Sequence, residues 1–400
     1  MVRIGHSRAA VVGALAVLAL TACGGGGGGG TASSSAPALP KVAMQQNLGQ
    51  GEGQLNLVDW AGYAEDGTND PKVDWVHPFE QATGCKVNNK IGNTSDEMVQ
   101  LMKTGQYDGV SASGDATLRL IYGGLVAPVN TKLVPNYETI QPFLKDKAWN
   151  SVGGQMYGIP HGWGANLLLY RTDTVTPAPT SWSAVFTPNS PYKGRITAYD
   201  SPIYIADAAL YLMRTKPDLG IKNPYALDSK QMDAAVALLK QQRKQIGEYW
   251  SDYTKAVQAV ESGNTVVGTT WQVIANLVQA DAKVPIATVL PNEGATGWSD
   301  TWMVAAKAAH PVCMYKWMDW ITSPKVNAQV AEWFGEAPAQ SKACDHTSDP
   351  AFCTTYHAAD ASYASKIFYW TTPTTHCLDG RGNVCTDYAT WTQKWTEVKG

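Results

Sequence analysis

The chain has 400 residues, with 31 Lys and Arg against 34 Asp and Glu, a formal charge of −3, and 44% hydrophobic residues. Without residues 1–22, which hold Arg3 and Arg8, 29 basic residues face 34 acidic ones, and a charge of −5 excludes a basic nucleic-acid surface. The ~345 residues after the low-complexity N-terminal stretch exceed one compact core and predict two lobes.

The N-terminus reads as an export signal. Arg3 and Arg8 give a positive start, and residues 11–20 are apolar but too short for a permanent membrane span. Leu20-Thr21-Ala22-Cys23 then resembles a bacterial lipoprotein signal, in which residues 1–22 are removed and Cys23 is lipidated. An ordinary secretory signal with an incidental Cys23 is the rival reading. Residues 24–30 are all glycine, and polar sequence continues from there, so 23–53 is expected to be a flexible tether.

The body opens with strand–helix alternation. Residues 55–58 predict a strand, 75–83 a helix stopped at Gly84, and 85–91 a second strand. Ser95 is expected to cap a helix carrying Met98, Leu101 and Met102 on one face, and 107–112 reads as a third strand. A second region follows, with strands at 167–170, 195–199, 265–269 and 286–290. Its helices are read at 232–246, with Ile246 facing inward, and at 255–262 before Gly263. Pro311 opens a helix that Ser323-Pro324 stops, and 326–334 is helical up to Gly335. The pattern is α/β with parallel strands.

Six cysteines besides Cys23 give an even count that suits an oxidising compartment, with 15 connectivities possible. Cys344 with Cys353 and Cys377 with Cys385 are close enough for local staples, which leaves Cys85 and Cys313 to join distant parts of the chain. No pair has zinc-ligand spacing, so no metal is expected. The histidines are scattered, and neither a nucleophile elbow nor a phosphate-binding loop is present, so no cofactor or catalytic centre is expected. Fifteen Trp and 18 Tyr against 6 Phe favour surfaces that are part apolar and part wet.

Seven blocks in order resemble the extracytoplasmic solute-binding proteins of ABC transporters, most closely their spermidine/putrescine-binding branch. They begin with Leu57-Val58-Asp59-Trp60-Ala61-Gly62-Tyr63, then Phe79-Glu80-Gln81-Ala82-Thr83-Gly84-Cys85-Lys86-Val87, then Tyr107-Asp108-Gly109-Val110 with Ser113. Tyr157-Gly158-Ile159-Pro160 with Trp163-Gly164, Trp271, Trp298-Ser299-Asp300 and Gln329-Val330-Ala331-Glu332 follow. The resemblance covers about 57–340 and fades beyond Ser341. It implies a two-lobed periplasmic-binding-protein (type II) fold with a hinged cleft. Lobe one would be 54–164 and 299–344, lobe two 165–298 and 345–400.

The resemblance also implies ligand contacts at Trp60, Tyr63, Ser113, Trp271, Trp298 and Asp300, with Asp300 the principal anion and the Trp residues the walls. Asp115 and Glu336 stand where the family has Tyr, and Ser201 and Tyr204 where it has carboxylates. Asp115, Glu336 and Tyr204 join the candidates on that basis, and Trp163 from its matching block. Aromatic faces attract an ammonium by roughly 0.5–2 kcal/mol each, and a buried carboxylate adds a charge-assisted hydrogen bond. The implied function is capture, without catalysis, of a polyamine or related organic cation. A lipid-anchored monomer would then deliver it to a permease driven by a cytosolic ATPase. Capture of another metabolite, a surface hydrolase using Asp115, Asp300 or Glu336, and an adhesion module with exposed Trp are the alternatives.

Overall fold

A computed structural model describes residues 38–281 and 284–400. The signal and Cys23 lie outside the described residues. In chain order the strands are β1 (Gln54–Asp59), β2 (Lys86–Ile91), β3 (Gly109–Ala112), the hairpin β4 (Ser151–Val152) and β5 (Gln155–Met156), β6 (Ile159–Ala165) and β7 (Leu167–Arg171). They continue with β8 (Ile196–Tyr199), β9 (Ile246–Trp250), β10 (Val267–Thr270), β11 (Ile286–Val289), β12 (Ala295–Val304), β13 (Ala337–Pro338) and β14 (Ile367–Tyr369).

Two sheets carry the body. One runs β13-β6-β12-β3-β1-β2 with β14 added beside β12, and the other runs β11-β7-β10-β8-β9. β1 pairs in parallel with both β2 and β3, as the alternating pattern predicts. The sheets are nevertheless mixed, because β12 runs antiparallel to β3 and β6, and β7 antiparallel to β10 and β11. All ten residues of β12 are buried, so this strand has no alternation for a sequence reading to find. Leu55, Leu57 and Val58 in β1 and Met314, Trp317 and Ile321 in the helix Pro311–Ile321 are among the fully buried residues around the first sheet.

Local punctuation behaves as its chemistry dictates. The helix Val76–Thr83 ends at Gly84 and the helix Pro324–Phe334 at Gly335, both glycines left-handed. Two of the boundaries that differ from the sequence reading have a visible cause. Thr94, not Ser95, caps the helix Ser95–Lys103, and the Ser95 hydroxyl donates to Asp115 instead. The helix read at 232–246 is Ser229–Arg243, started by a capping box of Asp228 and Gln231, and Ile246 begins β9 beside Ile196.

The tether expected to reach residue 53 ends earlier. The Glu52 carboxylate accepts the backbone N–H groups of Val312 and Cys313, each at 2.9 Å, and so satisfies two donors that the start of a helix leaves unpaired. Gly51 lies against the sulfurs of Cys85 and Cys313, too close for a Cβ. The disulfides are Cys85–Cys313, Cys344–Cys353 and Cys377–Cys385. Asp379, in the loop of the last one, is held by Arg381, which also pairs with Asp228.

The Cys85–Cys313 bridge closes 228 residues of sequence, so chain entropy gives it about 5 kcal/mol of unfolded-state restriction. The double variant Cys85→Ala/Cys313→Ala is expected to lose about 2–5 kcal/mol in urea unfolding, more than Cys344→Ala/Cys353→Ala, whose loop spans 9 residues.

Candidate functional site

The order β6-β12-β3-β1 places four chain segments side by side, and their polar side chains converge. β1 runs into the turn that holds Trp60 and Tyr63, closed by the Tyr63 N–H on the Trp60 carbonyl and by Gly62 at φ 100°. β3 leads to Ser113, at the start of the helix Gly114–Tyr122. Its hydroxyl caps no backbone N–H and donates instead to Asp300 Oδ1. Asp300 sits in β12 at a register shift opposite Gly162 of β6. Glu336 follows the left-handed Gly335 just before β13.

These groups form one buried chain of hydrogen bonds. The Tyr63 hydroxyl lies 2.7 Å from Asp300 Oδ2 and 2.8 Å from Glu336 Oε2. A phenol has one proton to donate, so two carboxylates cannot both be its acceptors; one must be protonated and donate to it. Burial pushes the Glu336 carboxyl up to about 8, against a lowering by its Tyr63 bond. Burial raises Asp300 to about 6, opposed by His161, by the Ser113 and Tyr63 bonds, and reinforced by Glu336. Glu336 is therefore the neutral acid at pH 7, Tyr63 passes the hydrogen bond on, and Asp300 carries the charge. His161 is lowered to about 4 by burial, is neutral, and bonds Ser111 through Nε2 at 2.8 Å. A Cβ on Gly162 would stand 2.0 Å from the Glu336 carboxyl, so glycine is what admits this side chain.

Above Asp300 is a narrow cavity lined by Trp60, Ser113, Tyr199, Trp271, Trp298, Asp300, Phe334 and Trp370, with a free volume of about 30 Å³. Trp271 is held by its indole N–H on Asn166 Oδ1 and meets Trp298 edge to face. Trp370 stacks on Tyr199, with centroids 5.7 Å apart and planes 11° apart. Its position comes from β14, whose Ile367–Tyr369 pairs with Ala295–Gly297, and from the Trp370 N–H on the Gly297 carbonyl. Trp271 and Phe334 also face an outer opening of about 490 Å³, with Glu65, Tyr253 and Trp333. A larger groove of about 690 Å³ beside Arg119 and Tyr388 shares no residue with this site, and its cation is already matched by Asp96 at 2.6 Å.

Of the ten residues singled out in the sequence, five line the cavity: Trp60, Ser113, Trp271, Trp298 and Asp300. Tyr63 and Glu336 stand behind Asp300. Three lie elsewhere. Asp115 accepts from Ser95 and does not reach the cavity, its pKa raised to about 6 by burial. Tyr204 is a core residue whose hydroxyl accepts from Gln242 at 2.8 Å. Trp163 is fully buried edge-on to Phe143 and lines a neighbouring cavity with Trp271, Trp298 and Glu336. Sequence reasoning missed Tyr199, Phe334, Trp370 and His161. Tyr199 ends a strand and Phe334 a helix that were both read, so position at an element's end was the usable signal. Trp370 lies where the resemblance had faded.

A family model described as bacterial extracellular solute-binding protein matches residues 74–354. The chain belongs to that family. Among similar members, the spermidine/putrescine-binding periplasmic protein of Escherichia coli K12 is 26% identical over 285 residues, 70% of this chain and 76% of the relative. A putative spermidine/putrescine ABC transporter protein from Listeria monocytogenes superposes with a TM-score of 0.70 at 17% identity, covering 87% of this chain and 99% of its own. The spermidine/putrescine ABC transporter substrate-binding protein of Streptococcus pneumoniae gives 0.67 at 17% identity, covering 86% and 97%. The fold is thus the type II periplasmic-binding-protein fold.

The proton on Glu336 has a thermodynamic signature. The unfolded chain releases it near 4.5, the folded one near 8, so its contribution to stability is whole below pH 4.5 and is lost as pH rises to about 8. Glu336→Gln is expected to remove that slope. In urea unfolding the variant gains stability relative to the parent between pH 5 and pH 8; an unchanged difference would assign the proton elsewhere.

Proposed function

We propose that this chain is the capture subunit of an ABC importer, taking a polyamine or related organic cation from outside the cytoplasm. It hands the ligand to a permease driven by a cytosolic ATPase. Asp300 carries the reading: one ionised carboxylate, buried beneath aromatic faces and held by two hydroxyl donors. An ammonium entering this cavity loses water and regains a charge-assisted bond to Asp300 and attraction from the rings. The names of the relatives, which bind spermidine and putrescine, support the same class of ligand. Captured in this way, the ligand leaves as it arrived, with no bond made or broken.

The proposal includes the rest of the transport arrangement. The two lobes, 54–164 with 299–344 and 165–298 with 345–400, close about a hinge. Closure lets Trp60, Ser113, Trp298, Asp300 and Trp370, carried by the first sheet and its loops, meet Tyr199 and Trp271, carried by the second. Cys23 carries the lipid that keeps the monomer at the membrane face. The hydrolase alternative loses support from geometry, because Asp115 is bonded to Ser95, away from Asp300 and Glu336.

Calorimetric titration of the oxidised protein with a panel of organic cations is expected to give one-to-one binding, reduced at least 100-fold by Asp300→Asn. Loss of a charge-assisted bond and of the only carboxylate in the cavity wall among the described residues sets that magnitude. Binding unaffected by this substitution would remove Asp300 from the site. For the anchor, intact-mass measurement of membrane-extracted protein should show a diacylglyceryl adduct on Cys23 that Cys23→Ser abolishes.

A further inference from the structure

From the outer opening we infer a second cation subsite, in which Glu65 meets the ligand's ammonium group before Asp300 does. The inference rests on the organic-cation reading, adds a place to it, and holds for a cation of one charge or of several.

Space is the first ground. The opening holds about 490 Å³, against about 30 Å³ in the cavity over Asp300, and the two share Trp271 and Phe334 as walls. The wider space therefore adjoins the narrow one. Its sides come from distant parts of the chain. Glu65 and Asn69 lie in the segment after β1, Trp333 ends the helix Pro324–Phe334, and Tyr253 opens the helix Tyr253–Glu261 that follows β9.

Charge is the second ground. Glu65 is only 5% exposed, yet among the described residues its carboxylate has no cationic partner. It is held by the neutral amide of Asn69, whose Nδ2 lies 3.1 Å from Oε1 and 2.9 Å from Oε2. A carboxylate set this deep without a countercharge bears a desolvation cost that an incoming cation offsets. The loop 65–74 adds Asp66 and Asp70 against Lys72, while Asp74 is paired with His77, so the field at this mouth is negative.

The third ground is aromatic exposure. Tyr253 is 42% and Trp333 39% exposed, and they are the two large aromatic side chains that stand exposed among the described residues. Both face this one opening. A Cβ on Gly62 would stand 3.2 Å from Phe334 and 3.6 Å from Trp333, so both rings rest on the turn that carries Tyr63. Ring faces beside an unpaired carboxylate favour an ammonium over a neutral or anionic solute. The ammonium thus exchanges water first for Glu65 and these faces, and only then for Asp300.

The test is stopped-flow mixing of the full, oxidised protein with putrescine, spermidine and choline, followed by tryptophan fluorescence. At about 0.01 M salt, where charges act over ~30 Å, Glu65→Gln is expected to slow association by about 3–10-fold. At about 1 M salt, where they act over ~3 Å, the difference from the parent is expected to close. Tyr253→Ala, a change at an exposed ring, is expected to slow association by about threefold at both salt concentrations. Parental association by folded Glu65→Gln at low salt, or slowing that persists undiminished at high salt, would overturn the subsite and leave the organic-cation reading standing. Should Glu65→Gln not fold, Tyr253→Ala decides, and parental association by that variant would overturn the subsite. No binding of any of the three cations by the folded parent would overturn both readings.

Discussion

A phenolic hydroxyl placed between two buried carboxyls can donate to only one of them, and the arrangement around Tyr63 follows from that constraint. Two ionised acids in a dry interior would repel one another and be unsolvated. A single shared line of protons, from Glu336 through Tyr63 to Asp300, removes one charge and directs the other. Serine from a helix start completes the coordination of Asp300, and the neutral His161 adds no competing cation. The result is an anion whose position is fixed from behind, leaving its front to the cavity.

The sheet order makes this possible. Residues 63, 113, 300 and 336 are far apart in sequence, yet the first three sit in or after β1, β3 and β12, which neighbour one another, and the fourth precedes β13, which pairs with β6 beside β12, so backbone pairing delivers all four to one place. Two backbone features then admit the side chains: Gly162 leaves room for the Glu336 carboxyl, and the left-handed Gly335 turns the chain ahead of it. The aromatic walls serve two ends. They lower the local dielectric around Asp300, which would strengthen its contact with the cation proposed as ligand, and their faces would add attraction that does not depend on exact orientation.

Much of this was legible in the sequence. The alternating β1, β2 and β3, the glycine stops at Gly84 and Gly335, and the pairs Cys344–Cys353 and Cys377–Cys385 are local or nearly local signals, and Cys85 with Cys313 was what they left over. So were Trp60, Ser113, Trp271, Trp298 and Asp300, because each lies in a block of recognisable spacing. What escaped had no local mark. β12 is buried on both faces and hides its period. Glu52 reads as part of a glycine-rich linker until the helix start it caps is seen. Asp115 and Tyr204 were expected among the ligand contacts, but Ser95 and Gln242 occupy their polar atoms, a partnership across 20 and 38 residues that spacing does not reveal. Trp370 enters from a segment with no recognisable motif at all.

That last residue has an origin apart from the others. The match to the family stops at residue 354, while Trp370 arrives on a strand beyond it, followed by a loop tied off by Cys377–Cys385 and a helix packed on the second sheet's side. One wall of the cavity therefore comes from a segment beyond the family-model match. The enclosure is thus assembled from the matched body and from the chain's last stretch together, so a change in that stretch alone can reshape one wall while the Tyr63, Asp300 and Glu336 cluster behind it stays as it is.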